Sequence, residues 1–381
     1  MGATADLLAS VLNQNVTAWR SSPAAVTVEK IVVGWLARAV GCPNLVGSLT
    51  GGGSLANLMG LAMAREAKHA ANQDGMKSGG VVYASEEVHM SIPKSVALLG
   101  IGRSNLRLVA TNESFRMIPG ELEQTMRKDK EAGKIPIAVV ATAGTVNTGA
   151  IDPLAEIADI AHRHGAWLHV DGAYGALAAM AVPDRFEGLE LADSLSLDPH
   201  KWLYQPLDAG CLLYRDAASA QKAFAHTGEY ARALTTDPVE GFAFFEESLE
   251  LSRRFRALKL WLSLRYHGFE AFRKAIQQDL KHAQRLARLF AERHELELMA
   301  PVGLSVVCFR FRGADNGSEE KLNRLNPAIL KRVVERGQVY LSNASLRGKF
   351  CLRACIVNHR TTDADIDSVI AEVLASAKEV I

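Results

Sequence analysis

Two hydrophobic periods divide the chain. Through about the first two thirds, short apolar runs alternate with segments whose apolar residues recur every three or four positions. Residues 135–144 (IPIAVVATAG) are apolar and bounded by glycine, which predicts a buried strand. Residues 152–165 (DPLAEIADIAHRHG) predict a helix. Asp152 suits the cap, Pro153 the first helical position and Gly165 the stop, while Leu154, Ile157, Ala158 and Ala161 form one stripe. Further strands are expected in 166–173 (AWLHVDGA), before Pro199 in 193–202 (DSLSLDPHKW) and in 209–215 (AGCLLYR). Buried strands alternating with helices predict a mostly parallel sheet covered by helices.

From about Ser252 helical patterns dominate. Phe255, Leu258, Trp261 and Leu262 share a face, and a long charged helix is expected over about 269–294. Strands are expected at 303–313 and 349–358 with a helix near 326–337 between them, and a last helix follows Thr362 with Ile366, Val369, Ile370 and Val373 on its inner side. This reads as a smaller α+β domain, residues 266–381, behind a large domain at 31–265 and a short leading segment at 1–30.

With 381 residues, 48% of them hydrophobic, the chain suits two domains sharing one interior. Its net charge of +1 gives no reason to expect nucleic acid or an anionic membrane as partner. The 5 cysteines (Cys42, Cys211, Cys308, Cys351 and Cys355) include no CxxC pair, so neither a disulfide framework nor a four-cysteine zinc site is expected. No apolar run approaches the ~18–20 residues that cross a bilayer, and the opening MGATADLLASVLNQ lacks the basic and apolar regions of a secretory signal. A cytoplasmic protein is expected.

Three stretches carry candidate chemistry at strand ends, where open α/β sheets bind ligands. Gly51, Gly52 and Gly53 lead into a helix striped with Leu55, Leu58, Met59, Ala62 and Met63. Backbone N–H groups there, with the Ser54 hydroxyl, form either an anion cradle or a mere flexible turn. Asp171 ends an apolar strand, where a carboxylate needs donors or a cation; a helix cap or ion pair is the other reading. Lys201, between His200 and Trp202, is either an amine nucleophile or a surface lysine. Together, a phosphate cradle, a strand-end carboxylate and a lysine suit pyridoxal phosphate, which needs all three. His162, His164 and His169 do not make a zinc site: a two-apart pair does not share a helix face, and basic residues are expected at a helix C-terminus.

The chain resembles the group II pyridoxal-phosphate-dependent amino acid decarboxylases, the family of the aromatic amino acid, histidine and glutamate decarboxylases. The resemblance rests on TGGGSLAN (50–57), YASEEVH (83–89), ATAGTVNTGAIDPL (141–154), WLHVDGAYG (167–175), DPHKW (198–202) and RRFRALKLW (253–261), in the family's order. It implies a fold-type I, aspartate aminotransferase-like α/β architecture: a mostly parallel seven-stranded sheet in a large domain and a small C-terminal α+β domain. It implies decarboxylation of an L-amino acid to an amine and carbon dioxide, in a homodimer. Carried over by residue, Lys201 takes the cofactor's aldehyde, Asp171 pairs with its ring nitrogen, and His89 stacks on one ring face with Ala173 on the other. Gly53, Ser54 and His200 hold the phosphate, Thr145 contacts the phenolic oxygen, and Arg353 meets the substrate carboxylate.

Three departures accompany the resemblance. Most of the family's N-terminal helical segment is expected to be missing before 22–30. Asp198 stands where the aromatic-type members commonly carry asparagine. Between Tyr230 and Tyr266 there is no tyrosine, and Phe242, Phe244 and Phe245 occupy the stretch where the family carries a proton-delivering tyrosine. Phenylalanine has no proton to give, so an aldehyde synthase is the nearest alternative. Another carbon–carbon lyase and a non-catalytic relative are the remaining ones.

Overall fold

The computed structural model describes residues 1–76, 79–226, 237–313 and 317–381. Tyr230 lies outside the described residues. Two helices open the chain, α1 (Gly2–Leu12) and α2 (Pro23–Ala39), and the break expected at residue 30 falls inside α2. The apolar runs then pair side by side: β1 (Val46–Thr50), α3 (Gly53–His69), β2 (Gly80–Ser85), α4 (Ser91–Leu98), β3 (Leu106–Val109), α5 (Pro119–Glu131), β4 (Ile135–Thr142), α6 (Leu154–Arg163), β5 (Trp167–Asp171), β6 (Ser194–Leu197), α7 (Pro199–Trp202), β7 (Gly210–Tyr214) and α8 (Ala217–Phe224).

These strands form one seven-stranded sheet in the order β1-β7-β6-β5-β4-β2-β3. From β3 to β6 all neighbours are parallel, whereas β7 is antiparallel to both β6 and β1. Because β7 alone is reversed, β1 runs the same way as β6. The C-terminal ends of β1, β2, β4, β5 and β6 therefore reach one edge of the sheet, and their following loops meet there. This is the expected α/β architecture.

Helix α3 crosses the sheet face. Of its expected stripe, Met59, Ala62 and Met63 are buried and Leu55 and Leu58 only half-buried, whereas Ala56, Asn57, Gly60, Leu61 and Ala64 are enclosed, because α4 and α8 cover the side away from the strands. The α6 stripe is buried as expected, but Asp152 does not cap that helix. Its carboxylate accepts from the backbone N–H groups of Met117 (2.7 Å) and Thr142 (2.8 Å), fastening the end of β4. His162 bonds Asp193 (3.3 Å) and His164 bonds Glu123 (2.8 Å), which gives both rings carboxylate partners.

Helices α9 (Ala257–His267) and α10 (Phe269–Ala291) lead to a second sheet: β8 (Leu296–Leu298), β9 (Val306–Phe311), α11 (Glu319–Arg336), β10 (Ser342–Leu346), β11 (Lys349–Cys355) and α12 (Asp363–Val380). Its antiparallel order is β10-β11-β9-β8. Val307, Phe309, Leu352 and Ala354 point into α10, α11 and α12, while Val306, Cys308 and Cys351 point into the core of the large sheet. The period-2 alternation thus joins the two sheets. The buried face of α9 differs from the expected one: Leu258, Leu260, Leu264 and even Lys259 are buried, while Trp261 and Leu262 are only half-buried and Phe255 precedes the helix. The Lys259 ammonium is satisfied by Asp6 of α1 (3.0 Å) and the Pro206 carbonyl (2.9 Å). Helix α11 begins before the expected stretch, at a Ser318 cap, and continues through Pro327. Strands β1, β2, β3, β8 and β10 are not among those expected from the sequence; β8 is only three residues long, and β10 carries mostly small polar residues. Among the described residues no helix is long and apolar enough to cross a membrane.

Candidate active site

The converging strand ends enclose a cavity of about 480 Å³. It is bordered by Gly51, Gly52, Gly53 and Ser54 after β1, by His89 after β2, by Thr142 and Gly144 at the end of β4, by Asp171 and Ala173 after β5, and by Asp198, His200 and Lys201 after β6. Seven of the residues singled out from sequence, Gly53, Ser54, His89, Asp171, Ala173, His200 and Lys201, border this one space.

Lys201 sits on α7, a single turn begun by Asp198 and Pro199. Its Nζ lies 2.9 Å from Asp198 Oδ2, and over a third of the side chain is exposed. Asp198 is buried; its Oδ2 also lies 3.6 Å from His200 Nε2, while its Oδ1 is buried without a hydrogen-bond partner among the described residues. His200 donates from Nδ1 to the Ala209 carbonyl at 2.7 Å, which turns Nε2 toward the cavity side.

The glycines are shaped by this neighbourhood. A Cβ on Gly53 would stand 2.5 Å from the Ala173 Cβ and 3.0 Å from Asp198 Oδ2, and Gly52 has φ of 143°. Only glycine lets the backbone approach this closely and turn this way. The 51–54 turn thereby presents the N-terminus of α3, a 17-residue helix, to the cavity.

Asp171 is fixed from three sides. Its Oδ2 accepts from Asn57 Nδ2 (2.9 Å), and its Oδ1 accepts from Ser196 Oγ (3.2 Å) and the Ala173 N–H (3.2 Å). His89 Nδ1 lies 2.8 Å from Ser91 Oγ and accepts from the Ser91 N–H at 3.2 Å. Burial pushes the His89 pKa down from its ordinary value; Asp171 and Asp198 oppose the shift and Lys201 adds to it.

The structure does not bring Thr145 or Arg353 to the cavity lining. The Thr145 hydroxyl is turned into its own loop, against Thr148 Oγ1 (2.8 Å) and the Ala150 N–H (3.2 Å). Arg353, on β11, donates to Ser342 Oγ at 2.9 Å. Phe242 and Phe244 meet edge to face at 4.9 Å, capped by Lys30 and Arg253, and the Phe245 N–H bonds the Thr17 carbonyl. They pack; none borders the cavity. Sequence reasoning missed Asn57 and Ser196. Both are polar residues within apolar segments, and that was the available signal.

The residues present fit pyridoxal phosphate. A cradle that any side chain would fill, an amine and a carboxylate already held by donors all face one space of suitable size. The chain matches the pyridoxal-dependent decarboxylase conserved domain over residues 1–312. It belongs to the pyridoxal-dependent decarboxylases. It is 37% identical, over all of this chain and 79% of the relative, to the aromatic-L-amino-acid decarboxylase of Bacillus atrophaeus. It is 32% identical to the phenylacetaldehyde synthase of Petunia hybrida, over 93% of this chain and 74% of that protein. The crystal structure of Oryza sativa TDC with PLP and tryptamine superposes with a TM-score of 0.93 at 30% identity, covering 99% of this chain and 81% of that one.

The cofactor is pyridoxal phosphate, and the reaction is decarboxylation of an amino acid. When bound, the cofactor supplies an electron sink for the pair released at the amino acid's α-carbon. This chain's own residues set the conditions. Asp171, held by three donors, would favour a proton on a ring nitrogen facing it. His89, with Nδ1 occupied by Ser91, has Nε2 left to carry a proton at the cavity wall.

Proposed function

We propose that this enzyme decarboxylates an aromatic L-amino acid to its amine and carbon dioxide, working as a cytoplasmic homodimer. Lys201 binds the cofactor's aldehyde, Asp171 faces its ring nitrogen, and His89 and Ala173 border the ring. The 51–54 turn, Ser54 and His200 receive the phosphate. One observation carries this reading: the Lys201 amine, the Asp171 carboxylate and the glycine turn border the same cavity although they are far apart in the chain. The aromatic preference is supported by the relatives. The dimer is supported by α1, which turns Leu7, Leu8, Val11 and Leu12 outward; a solvent-facing apolar row of this kind suits a second copy of the chain. The aldehyde synthase is retained as a second reading because one relative, from Petunia hybrida, carries that name.

Two measurements test the proposal. Borohydride treatment of the cofactor-loaded enzyme should label Lys201, and Lys201→Ala should lose both the label and carbon dioxide release. A panel of aromatic and acidic L-amino acids should release carbon dioxide with the aromatic members alone. Amine as the sole product under oxygen rejects the aldehyde reading; aldehyde with ammonia and peroxide selects it. A label on another lysine overturns the site.

A further inference from the structure

Beneath the cavity, polar side chains are joined in one hydrogen-bonded line. β5 places His169 and Asp171 two residues apart, hence on one face. β6 sets Ser194 opposite His169 and Ser196 opposite Asp171. Helix α3 lies across that face and contributes Asn57 and, three residues on, Gly60. Gly60 is dictated by the packing, since a Cβ there would stand 2.6 Å from His169 Nδ1 and 2.7 Å from its Cε1.

Trp167 Nε1 is 2.8 Å from Ser194 Oγ, which is 2.8 Å from His169 Nδ1. His169 Nε2 is 2.9 Å from Asn57 Oδ1. Asn57 Nδ2 is 2.9 Å from both Asp171 Oδ2 and Ser91 Oγ, and Ser91 Oγ is 2.8 Å from His89 Nδ1. Every member but His89 is buried.

Donor and acceptor chemistry gives this line a direction. An ionised carboxylate only accepts, so the Asn57 group facing Asp171 must be its NH2, which leaves the amide oxygen for His169. His169 must then carry its proton on Nε2 and accept at Nδ1 from the Ser194 hydroxyl, whose oxygen still receives the Trp167 indole N–H. The reverse line requires a protonated Asp171, an overturned Asn57 amide and a proton on His169 Nδ1. A neutral imidazole adopts one of these states or the other. Burial brings the His169 pKa down to about 4, so the ring is neutral at ordinary pH. Ser196 and the Ala173 N–H donate to Asp171 Oδ1 while Asn57 Nδ2 faces Oδ2, which is the arrangement of the forward line.

We propose that Asn57 is a positioning residue: its amide, oriented by His169, holds Asp171 as an ionised acceptor and through Ser91 keeps His89 Nδ1 an acceptor, so that the catalytic carboxylate and the catalytic imidazole are set by one side chain. The consequence for catalysis rests on Asp171 facing the cofactor's ring nitrogen; the direction of the line does not, and it is tested without cofactor.

The experiment uses the full chain with nitrogen-labelled histidine, free of cofactor, and reads which ring nitrogen carries the proton from long-range proton–nitrogen correlations. His169→Gln and His89→Gln assign the two signals. In the unsubstituted protein both rings should carry the proton on Nε2; a proton on His169 Nδ1 overturns the proposal with no variant needed. Asn57→Leu, similar in shape but without the amide, should shift His169 to a mixture of the two forms, and an unchanged His169 signal overturns it again. Asn57→Leu likewise leaves Asp171 without its Asn57 donor. Loaded with pyridoxal phosphate, it should still label Lys201 with borohydride while kcat falls about tenfold or more and KM stays within about twofold. An unchanged kcat would reject the positioning role. Loss of the Lys201 label in the unsubstituted enzyme would instead sink the cofactor reading and leave the hydrogen-bond line standing.

Discussion

The two ends of the cavity are built on opposite plans. At the floor, Asp171 is met by Asn57, Ser196 and a backbone N–H. At the glycine end, Asp198 is just as buried, yet one of its oxygens has no partner among the described residues, and its counter-charge is a half-exposed lysine. A satisfied buried network is rigid and specific, whereas an unsatisfied one stores a cost that a ligand can relieve. On the proposed reading, the floor sets where the ring sits, and the glycine end is where the balance of charge changes on binding.

The largest expected effect comes from breaking the floor with acid. The His169 pKa drops from 6.5 to about 4 because burial disfavours the cation, against the pull of Asp171. Between those values the unfolded chain takes up a proton that the folded chain refuses. Stability therefore falls as pH falls through that window, by about 1.4 kcal/mol per pH unit at the steepest. Asp152 and Asp279, which burial pushes up to about 6, slope the other way over part of this window, so the test is a difference: unfolding measured by denaturant from pH 7 to pH 4 should show His169→Gln losing stability less steeply than the parent, by up to this slope. Equal slopes in the two proteins would mean that the ring is not held neutral.

A smaller effect is expected from closing the glycine end. Gly53→Ala puts a methyl group 2.5 Å from the Ala173 Cβ, where two fixed elements leave it no room. Cofactor affinity should fall about a hundredfold, or ~2.7 kcal/mol, with the fold intact by circular dichroism. Unaltered affinity would show that the 51–54 turn does not hold the phosphate.

The contrast also explains what was legible in the sequence. Glycines, a strand-end aspartate and a lysine are unusual residues for their places, so Gly53, Asp171 and Lys201 stood out, and the apolar runs exposed β4, β5, β6 and β7 but not β1, β2 or β3. Asn57, Ser194 and Ser196 did not stand out, because their meaning lies in partners from other strands and helices that pairing alone reveals. Thr145 shows what a motif alone leaves open, namely which way the side chain turns. Its motif pointed to the cofactor, but Thr148 and Ala150 turn its hydroxyl into the loop. Asp152 had the right place for a cap and instead holds two backbone N–H groups of neighbouring segments.

Asp198 sharpens the comparison with the smallest expected effect, of opposite sign. It lies beside the glycine turn, 3.0 Å from where a Gly53 Cβ would be, so a bound phosphate meets a carboxylate as well as N–H groups. Like charges in a partly desolvated space repel, although water and the nearby Lys201 and His200 soften this. Asp198→Asn keeps the shape and removes the charge. Pyridoxal phosphate should bind about tenfold tighter to the variant, ~1.4 kcal/mol, and inorganic phosphate should raise its melting temperature more than that of the parent, while pyridoxal without phosphate should gain nothing. If the variant instead binds pyridoxal phosphate more weakly, Asp198 acts through His200, holding that imidazole as a donor to the phosphate, and its charge helps rather than opposes the cofactor.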